Sequence, residues 1–164
     1  MFERHIEETI EIASAPTEVW WQLINFKAYP EWNRFITYIE GIPEEGELLH
    51  VTLQPERLPA ISIHPRVLVA EPERELRWIG RLGLPQVLDG EHAFLIKSVG
   101  TNHVRFTQSE RFSGLFVPGA MALLEDDIRR GFEKMNMALR QRCEAAHATR
   151  ETARAEEHES HRKG

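Results

Sequence analysis

Apolar and polar residues alternate over many short segments of this chain, and a period of two is typical of half-buried β-strands. In the first segment Ile6, Ile10 and Ile12 share one parity, whereas the residues between them are polar. Pro65 lies inside a later segment and predicts an edge or bulge in its early part. Further strands are predicted in segments 35–39, 49–53, 61–69, 87–99 and 104–112, and one more begins with Leu76 and Trp78 and is interrupted at Gly83.

Two other segments follow the helical period instead. Pro16 suits the first turn of a helix, and Val19 and Leu23 follow it at helical spacing. Pro30 predicts the end of this segment, because the residue before a proline is pushed out of the helical region. A second helix starts at Pro118 and runs to about Ala148, a length of about 30 residues or about 45 Å. Its apolar stripe consists of Met121, Leu124, Ile128, Phe132, Met135, Leu139 and Cys143.

This order of elements predicts the fold class. A run of strands followed by one long helix indicates an α+β fold with an antiparallel sheet. The apolar face of the sheet is the one large surface that can cover the apolar face of the long helix. We predict one domain over residues 1–148, since no repeat or linker divides it. Residues 149–164 are charged and lack large apolar side chains, which predicts a fraying extension or a disordered tail.

Charge and composition narrow the class of protein. The chain has 164 residues, a net charge of −6 and no basic stripe, which disfavours a nucleic-acid partner. No stretch is long and apolar enough to span a bilayer, so we expect no integral membrane association. The single Cys143 cannot form an internal disulfide, and the first residues lack the pattern of a signal peptide. These features predict a cytoplasmic location and leave the oligomeric state open.

Three polar residues fall on the apolar face of the predicted hairpin over residues 87–112. His92 shares its face with Phe94, and Gln108 and Glu110 share theirs with apolar neighbours. His92 lies opposite Gln108 or Glu110, depending on a register that the sequence leaves open. Because an unpaired buried carboxylate is costly, we expect one of three arrangements. The groups form a hydrogen-bonded core network, orient a ligand in a pocket, or act as an acid and a base.

The sequence lacks motifs for metal, nucleotide or covalent chemistry. His64, His92 and His103 do not have the spacing of metal ligands, so we predict no metal site. The chain contains no nucleophile elbow, Walker motif or dinucleotide-binding glycine pattern. We therefore predict no cofactor and assign no catalytic residue.

Several motifs resemble one known family. The segments Ala15–Trp20 and Tyr29–Asn33 are similar to the A-P-x-x-V-W and P-x-W-N motifs that open members of the polyketide cyclase/dehydrase and lipid-transport group. This group belongs to the START-related superfamily, also called SRPBCC. The segments Asp89–Phe94, Gln108–Gly114 and Gly131–Asn136 resemble one bacterial branch of it. The resemblance implies a helix-grip fold. In that fold a curved antiparallel sheet of about seven strands wraps a long C-terminal helix, two short helices follow the first strand, and a hydrophobic cavity lies between sheet and helix.

The resemblance does not supply a reaction, since members of the superfamily bind ligands, catalyse reactions or assist other proteins. We expect a binding or carrier domain for a small hydrophobic molecule, such as a lipid, an aromatic or a polyketide-like compound, rather than an enzyme. The predicted pocket residues are Phe35, Trp78, His92, Phe94, Gln108, Glu110, Phe112, Phe132 and Met135. One alternative is a cyclase or dehydratase that uses His92 and Glu110 as acid and base. A second alternative is a protein-interaction module without a ligand.

Overall fold

The computed structural model describes residues 1–162, and in them it has eight strands, two short helices and one long helix. The strands are β1 (Phe2–Ile12), β2 (Ile36–Glu40), β3 (His50–Leu53), β4 (Ile61–Ile63), β5 (Arg66–Glu71), β6 (Glu75–Leu82), β7 (Leu88–Gly100) and β8 (His103–Gly114). The helices are α1 (Pro16–Ile24), α2 (Tyr29–Trp32) and α3 (Val117–Arg162), with a 3-10 turn at Phe26–Ala28. The predicted α+β class is confirmed, as are the two short helices after the first strand.

The strands pair antiparallel in two sheets, with orders β1-β8-β7-β6-β5 and β2-β3-β4. Only His64 and Pro65 separate β4 from β5, and the backbone N–H of Leu49 donates to the carbonyl of Pro65 at 2.9 Å. A bridge between Leu48 and Arg66 continues this pairing. The two sheets therefore meet at one interrupted strand and form a single bent surface. If β4 and β5 are counted as that one strand, the curved sheet of about seven strands is confirmed.

The hairpin of β7 and β8 lies in the middle of the larger sheet, and its register decides which side chains meet. His92 lies opposite Glu110, and Phe94 lies opposite Gln108. His92, Phe94 and Gln108 are 4%, 0% and 0% exposed, so the inward face predicted from the alternation is confirmed. The register shifts at positions 98–100, next to the turn.

Helix α3 packs against β1 and β8 and buries one side against the sheet. Phe132, Met135, Leu139 and Cys143 are at most 1% exposed, and they follow the spacing of three and four that the sequence showed. Burying a large apolar side chain completely contributes about 1.5–3 kcal/mol. Burial also raises the pKa of the Cys143 thiol to about 12, which keeps it protonated and unreactive.

The long helix extends further than the sequence predicted. It continues to Arg162, whereas its end was expected near Ala148. In this extension Arg150 pairs with the buried carboxylate of Glu18 on α1. Residues 149–162 are exposed, so the good helix propensity of their Arg, Glu and Ala residues supports the helix there rather than core contacts. Residues 163 and 164 of the predicted tail lie outside the described residues, and the division of the chain at residue 148 stays a prediction.

The prediction for Pro30 was wrong. Helix α1 ends at Ile24, and Pro30 lies in the first turn of α2, which starts at Tyr29. Proline fits a first turn because the backbone N–H that it lacks would have no partner within the helix there. Pro30 therefore starts a new helix instead of ending the previous one.

Candidate functional site

A partly open cavity of about 100 Å³ lies between the bent sheet and the first half of α3. Its walls are mostly apolar and come from both sheets. The helix contributes Leu124, Ile128 and Phe132, which lie one turn apart on the same face. The predicted cavity between sheet and helix is thus present, and it lies over the N-terminal half of the helix.

Close packing of Phe35 on α3 closes one side of the cavity. The Phe35 ring meets the Phe132 ring edge to face, with 5.7 Å between centroids. It also lies over Gly131, where a Cβ atom would overlap the ring. Gly131 therefore lets the Phe35 ring come closer to the helix backbone than another residue would allow.

His92 lies in an aromatic cage at the inner wall. Its ring stacks on Trp78 at 5.2 Å between centroids with an interplanar angle of 17°. The rings of Phe94 and Phe132 lie 4.4 Å and 5.2 Å from it. The cage follows from the register, because Trp78 on β6 and Glu110 on β8 flank His92 on β7 as cross-strand neighbours.

Hydrogen bonds connect three polar side chains across this wall. His92 Nδ1 bonds Glu110 Oε2, and the Gln108 amide donates to His92 Nε2 at 3.2 Å and to the Met135 sulfur at 3.4 Å. With the amide in this orientation, Nε2 is the acceptor and Nδ1 is the donor toward Glu110, so His92 links the other two polar side chains.

The second carboxylate oxygen of Glu110 is free to meet a ligand. Oε1 makes no hydrogen bond with any described residue, and both Glu110 and Gly90 line the cavity. Oε1 lies 2.5 Å from the point where a Cβ atom on Gly90 would stand. The Glu110 carboxylate can therefore occupy this position only because Gly90 has no side chain.

The loop that follows β3 forms one edge of the cavity and is fastened to α3. Pro55 in this loop lines the cavity, and Arg57 Nε donates to Asp127 Oδ1 at 2.8 Å. The backbone N–H of Arg57 donates to the other oxygen of Asp127 at 3.2 Å. The Asp127 side chain is 1% exposed, and its hydrogen bonds with Arg57 hold the pKa of the carboxyl below its usual value. The loop is thus attached to the helix by an ion pair whose carboxylate is buried and whose guanidinium is half exposed.

The structure brings most of the predicted pocket residues together at this cavity. Six of the predicted residues line it, namely Phe35, Trp78, His92, Glu110, Phe112 and Phe132. Phe94, Gln108 and Met135 are fully buried behind the wall, where they support His92 rather than face the cavity. Contact of any of these residues with a ligand stays a prediction.

Sequence reasoning missed several lining residues. Gly80 and Gly90 are cross-strand neighbours that leave space in the wall, and glycine inside a predicted strand was the available signal. The remaining ones are Ile36, Leu53, Pro55, Ile61, Ile63, Arg81, Leu82, Leu88, Leu124 and Ile128. Apart from Pro55, which lies in a loop, their strands and helix were predicted, but their position around one cavity depends on how the sheet bends.

The bent antiparallel sheet, the long helix across it and the partly open cavity between them define a helix-grip domain of the START-related superfamily. A family model described as polyketide cyclase/dehydrase and lipid transport matches residues 3–144. The chain therefore belongs to this family, as its motifs indicated. A sequence comparison with curated proteins gives no match.

Solved structures share the fold at low sequence identity. Zhui aromatase/cyclase from a Streptomyces species has a TM-score of 0.72 at 16% identity, covering 87% of this chain and 94% of that chain. A START superfamily protein from Mycobacterium smegmatis has a TM-score of 0.69 at 18% identity, covering 87% and 98%. A norcoclaurine synthase from Thalictrum flavum has a TM-score of 0.67 at 16% identity, covering 88% and 96%. At this level of identity the similarity shows the fold alone.

Within residues 1–162, no helix combines the length and the apolar character required to cross a bilayer. The cytoplasmic location expected from the sequence stays a prediction.

Proposed function

We propose that this protein binds a small, largely apolar molecule in the cavity, and that a donor group of the ligand bonds Glu110 Oε1. The observation that carries the proposal is a carboxylate oxygen without a partner in an apolar wall. An ionised carboxylate only accepts hydrogen bonds, so it selects a ligand with a hydroxyl or amine group. A ligand that carries its own carboxylate would meet the charge of Glu110 and is disfavoured.

The size of the cavity supports a ligand, or a ligand portion, of about one ring. An engineered apolar cavity of about 150 Å³ in another protein binds benzene. The present cavity of about 100 Å³ suits a single ring or a short chain, and its open side leaves room for the rest of a longer molecule. A norcoclaurine synthase of the same fold is described in complex with dopamine and hydroxybenzaldehyde, which are small hydroxylated aromatics.

The proposal is tested by titrating three matched ligands: 4-ethylphenol, ethylbenzene and 4-ethylbenzoate. We expect the phenol to bind tightest, by isothermal titration calorimetry and by thermal stabilisation. Glu110→Gln removes the charge-assisted hydrogen bond and should weaken the binding of 4-ethylphenol about tenfold or more, while the affinity for ethylbenzene changes little.

Two variants of α3 show whether binding takes place in the cavity. Ile128→Trp places a large ring in the lining and should abolish binding, whereas Met137→Trp on the exposed side of the same helix should not. The proposal fails if none of the three ligands binds the wild-type protein, or if Ile128→Trp binds them as well as Met137→Trp does.

The bond between His92 and Glu110 favours a second, catalytic candidate function. A carboxylate hydrogen-bonded to an imidazole in a largely apolar site can remove a proton next to a ligand carbonyl. Exchange of the α-protons of acetophenone for deuterium, followed by NMR, measures this directly. Catalysis requires the exchange rate with wild-type protein to exceed the rates in buffer alone and with Glu110→Gln. Equal rates in the three samples would rule out this catalytic function and leave ligand binding as the proposal.

A further inference from the structure

Large apolar side chains are exposed beside the cavity, on the side that Leu82 lines. We call them the apolar rim, and they are Leu82, Leu84, Leu115, Phe116 and Leu123, which are 47–74% exposed. Leu82 belongs to both the rim and the cavity lining. Leu123 is next to the lining residue Leu124, so the rim continues the apolar inner surface outward. Exposed apolar patches of this kind mark surfaces that dock on something.

Backbone contacts join the two loops of the rim into one unit. Leu115 N–H donates to the carbonyl of Gln86 at 3.0 Å, and Phe116 N–H donates to the carbonyl of Val87 at 3.1 Å. Gly114 has a φ of 137°, and a Cβ atom there would stand 2.5 Å from the Val87 oxygen. The loop before β7 and the start of α3 therefore present their apolar side chains from a common base.

The rim segments contain no charged residue, although 28% of the chain is charged. Residues 82–88 and 112–124 both lack Asp, Glu, Lys, Arg and His. The charges at their borders are paired: Arg81 lies 3.7 Å from Asp89, Arg111 lies 3.5 Å from Glu91, and Arg4 Nε donates to Glu125 at 3.0 Å. Docking of the rim on an apolar phase would thus bury no charge, and each of these border cations already has an acidic partner.

We infer that the apolar rim docks on the surface of an uncharged lipid bilayer, with Leu84 and Phe116 entering the interfacial region. A protein partner needs complementary shape and a polar periphery with hydrogen bonds, whereas a bilayer accepts separate apolar protrusions. Docking sets the side of the cavity that Leu82 lines against the apolar phase, which shortens the path of an apolar ligand through water. The inference goes beyond ligand binding, because docking needs only the rim.

The test is co-sedimentation with sucrose-loaded phosphatidylcholine vesicles at physiological ionic strength. We expect wild-type protein to bind these vesicles, and no more protein to bind when phosphatidylserine is added. Leu84→Glu and Phe116→Glu should each weaken partitioning about tenfold or more, the loss expected for one large apolar side chain that no longer leaves water. Ile42→Glu is the matched control, because Ile42 is 54% exposed in the turn after β2 and lies outside the rim and the cavity lining.

Hydrogen exchange locates the contact: residues 82–88 and 115–124 should gain protection when phosphatidylcholine vesicles are added. Three results overturn the inference. The first is no binding to phosphatidylcholine vesicles, and the second is binding only when anionic lipid is present. The third is a loss of vesicle binding in the Ile42→Glu control as large as in the rim variants. Sedimentation velocity adds a fourth, in which the rim joins two copies of the chain and the rim variants are monomeric. The ligand titrations above are read separately, since Leu84→Glu should still bind 4-ethylphenol.

Discussion

Replacement of Gly90 by alanine tests the geometry of the candidate site, with Gly80→Ala as its control. The two glycines are cross-strand neighbours in the cavity wall. A Cβ atom on Gly90 would stand 2.5 Å from Glu110 Oε1, whereas one on Gly80 would meet Ile63 at an ordinary 3.6 Å. The Glu110 carboxylate is the flexible end of a side chain, so in Gly90→Ala it turns away and breaks its bond with His92.

The expected magnitude follows from that broken bond. A hydrogen bond to a charged group contributes about 1.5–3 kcal/mol, and His92, which is 4% exposed, is left without its acceptor. Replacing glycine by alanine offsets about 0.4–1 kcal/mol, because the unfolded chain loses freedom. We therefore expect Gly90→Ala to destabilise the fold by about 1–2 kcal/mol. Gly80→Ala should be neutral or slightly stabilising.

Urea denaturation followed by circular dichroism measures both free energies of unfolding, and NMR of the imidazole reports the His92–Glu110 bond. The His92 resonances should shift in Gly90→Ala and stay in place in Gly80→Ala. If the two variants are equally stable and both keep the wild-type His92 resonances, the carboxylate does not lie where we describe it, and the proposed ligand contact loses its basis.

Three further predictions concern the helix and its contacts. Asp127→Asn should lower the free energy of unfolding at neutral pH, and its difference from wild type should shrink below about pH 4. A carboxyl whose pKa is lowered in the folded state stabilises the fold at pH values above its unfolded pKa and loses that effect as it is protonated. A difference that stays constant from neutral pH to pH 3 in urea titrations would contradict this. Phe132→Ala should cost about 3–5 kcal/mol, whereas Leu123→Ala on the exposed side should stay within about 0.5 kcal/mol, and similar losses in the two would refute the packing described here. Cys143 should react with a thiol reagent only at the rate of unfolding, and fast reaction of the native protein would contradict its burial.

The sequence was sufficient for the fold because alternation and helical spacing decide which side chains face inward. His92, Gln108 and Glu110 were placed on the inner face in this way. The pairing of His92 with Glu110 was not predictable, because the register shifts at positions 98–100 beside the turn. Pro30 was misread because one proline can end a helix or start the next, and only the backbone before it decides between them.

The cavity was harder to predict than the polar residues in its wall. It depends on side chains that are missing, at Gly80 and Gly90, and on the bend where β4 meets β5. Periodicity shows that Leu124 and Ile128 face the sheet, but it does not show whether the sheet reaches them. Apolar positions therefore read as core in the sequence, although some of them border open space.

Gly131 has a consequence for how this cavity can change. It does not line the cavity, yet the contact of the Phe35 ring with the helix backbone exists because position 131 has no side chain. A single methyl group at position 131 would push the Phe35 ring away from the helix and change the depth of the cavity. A substitution at position 131 would therefore change the size of the cavity from a residue that does not line it.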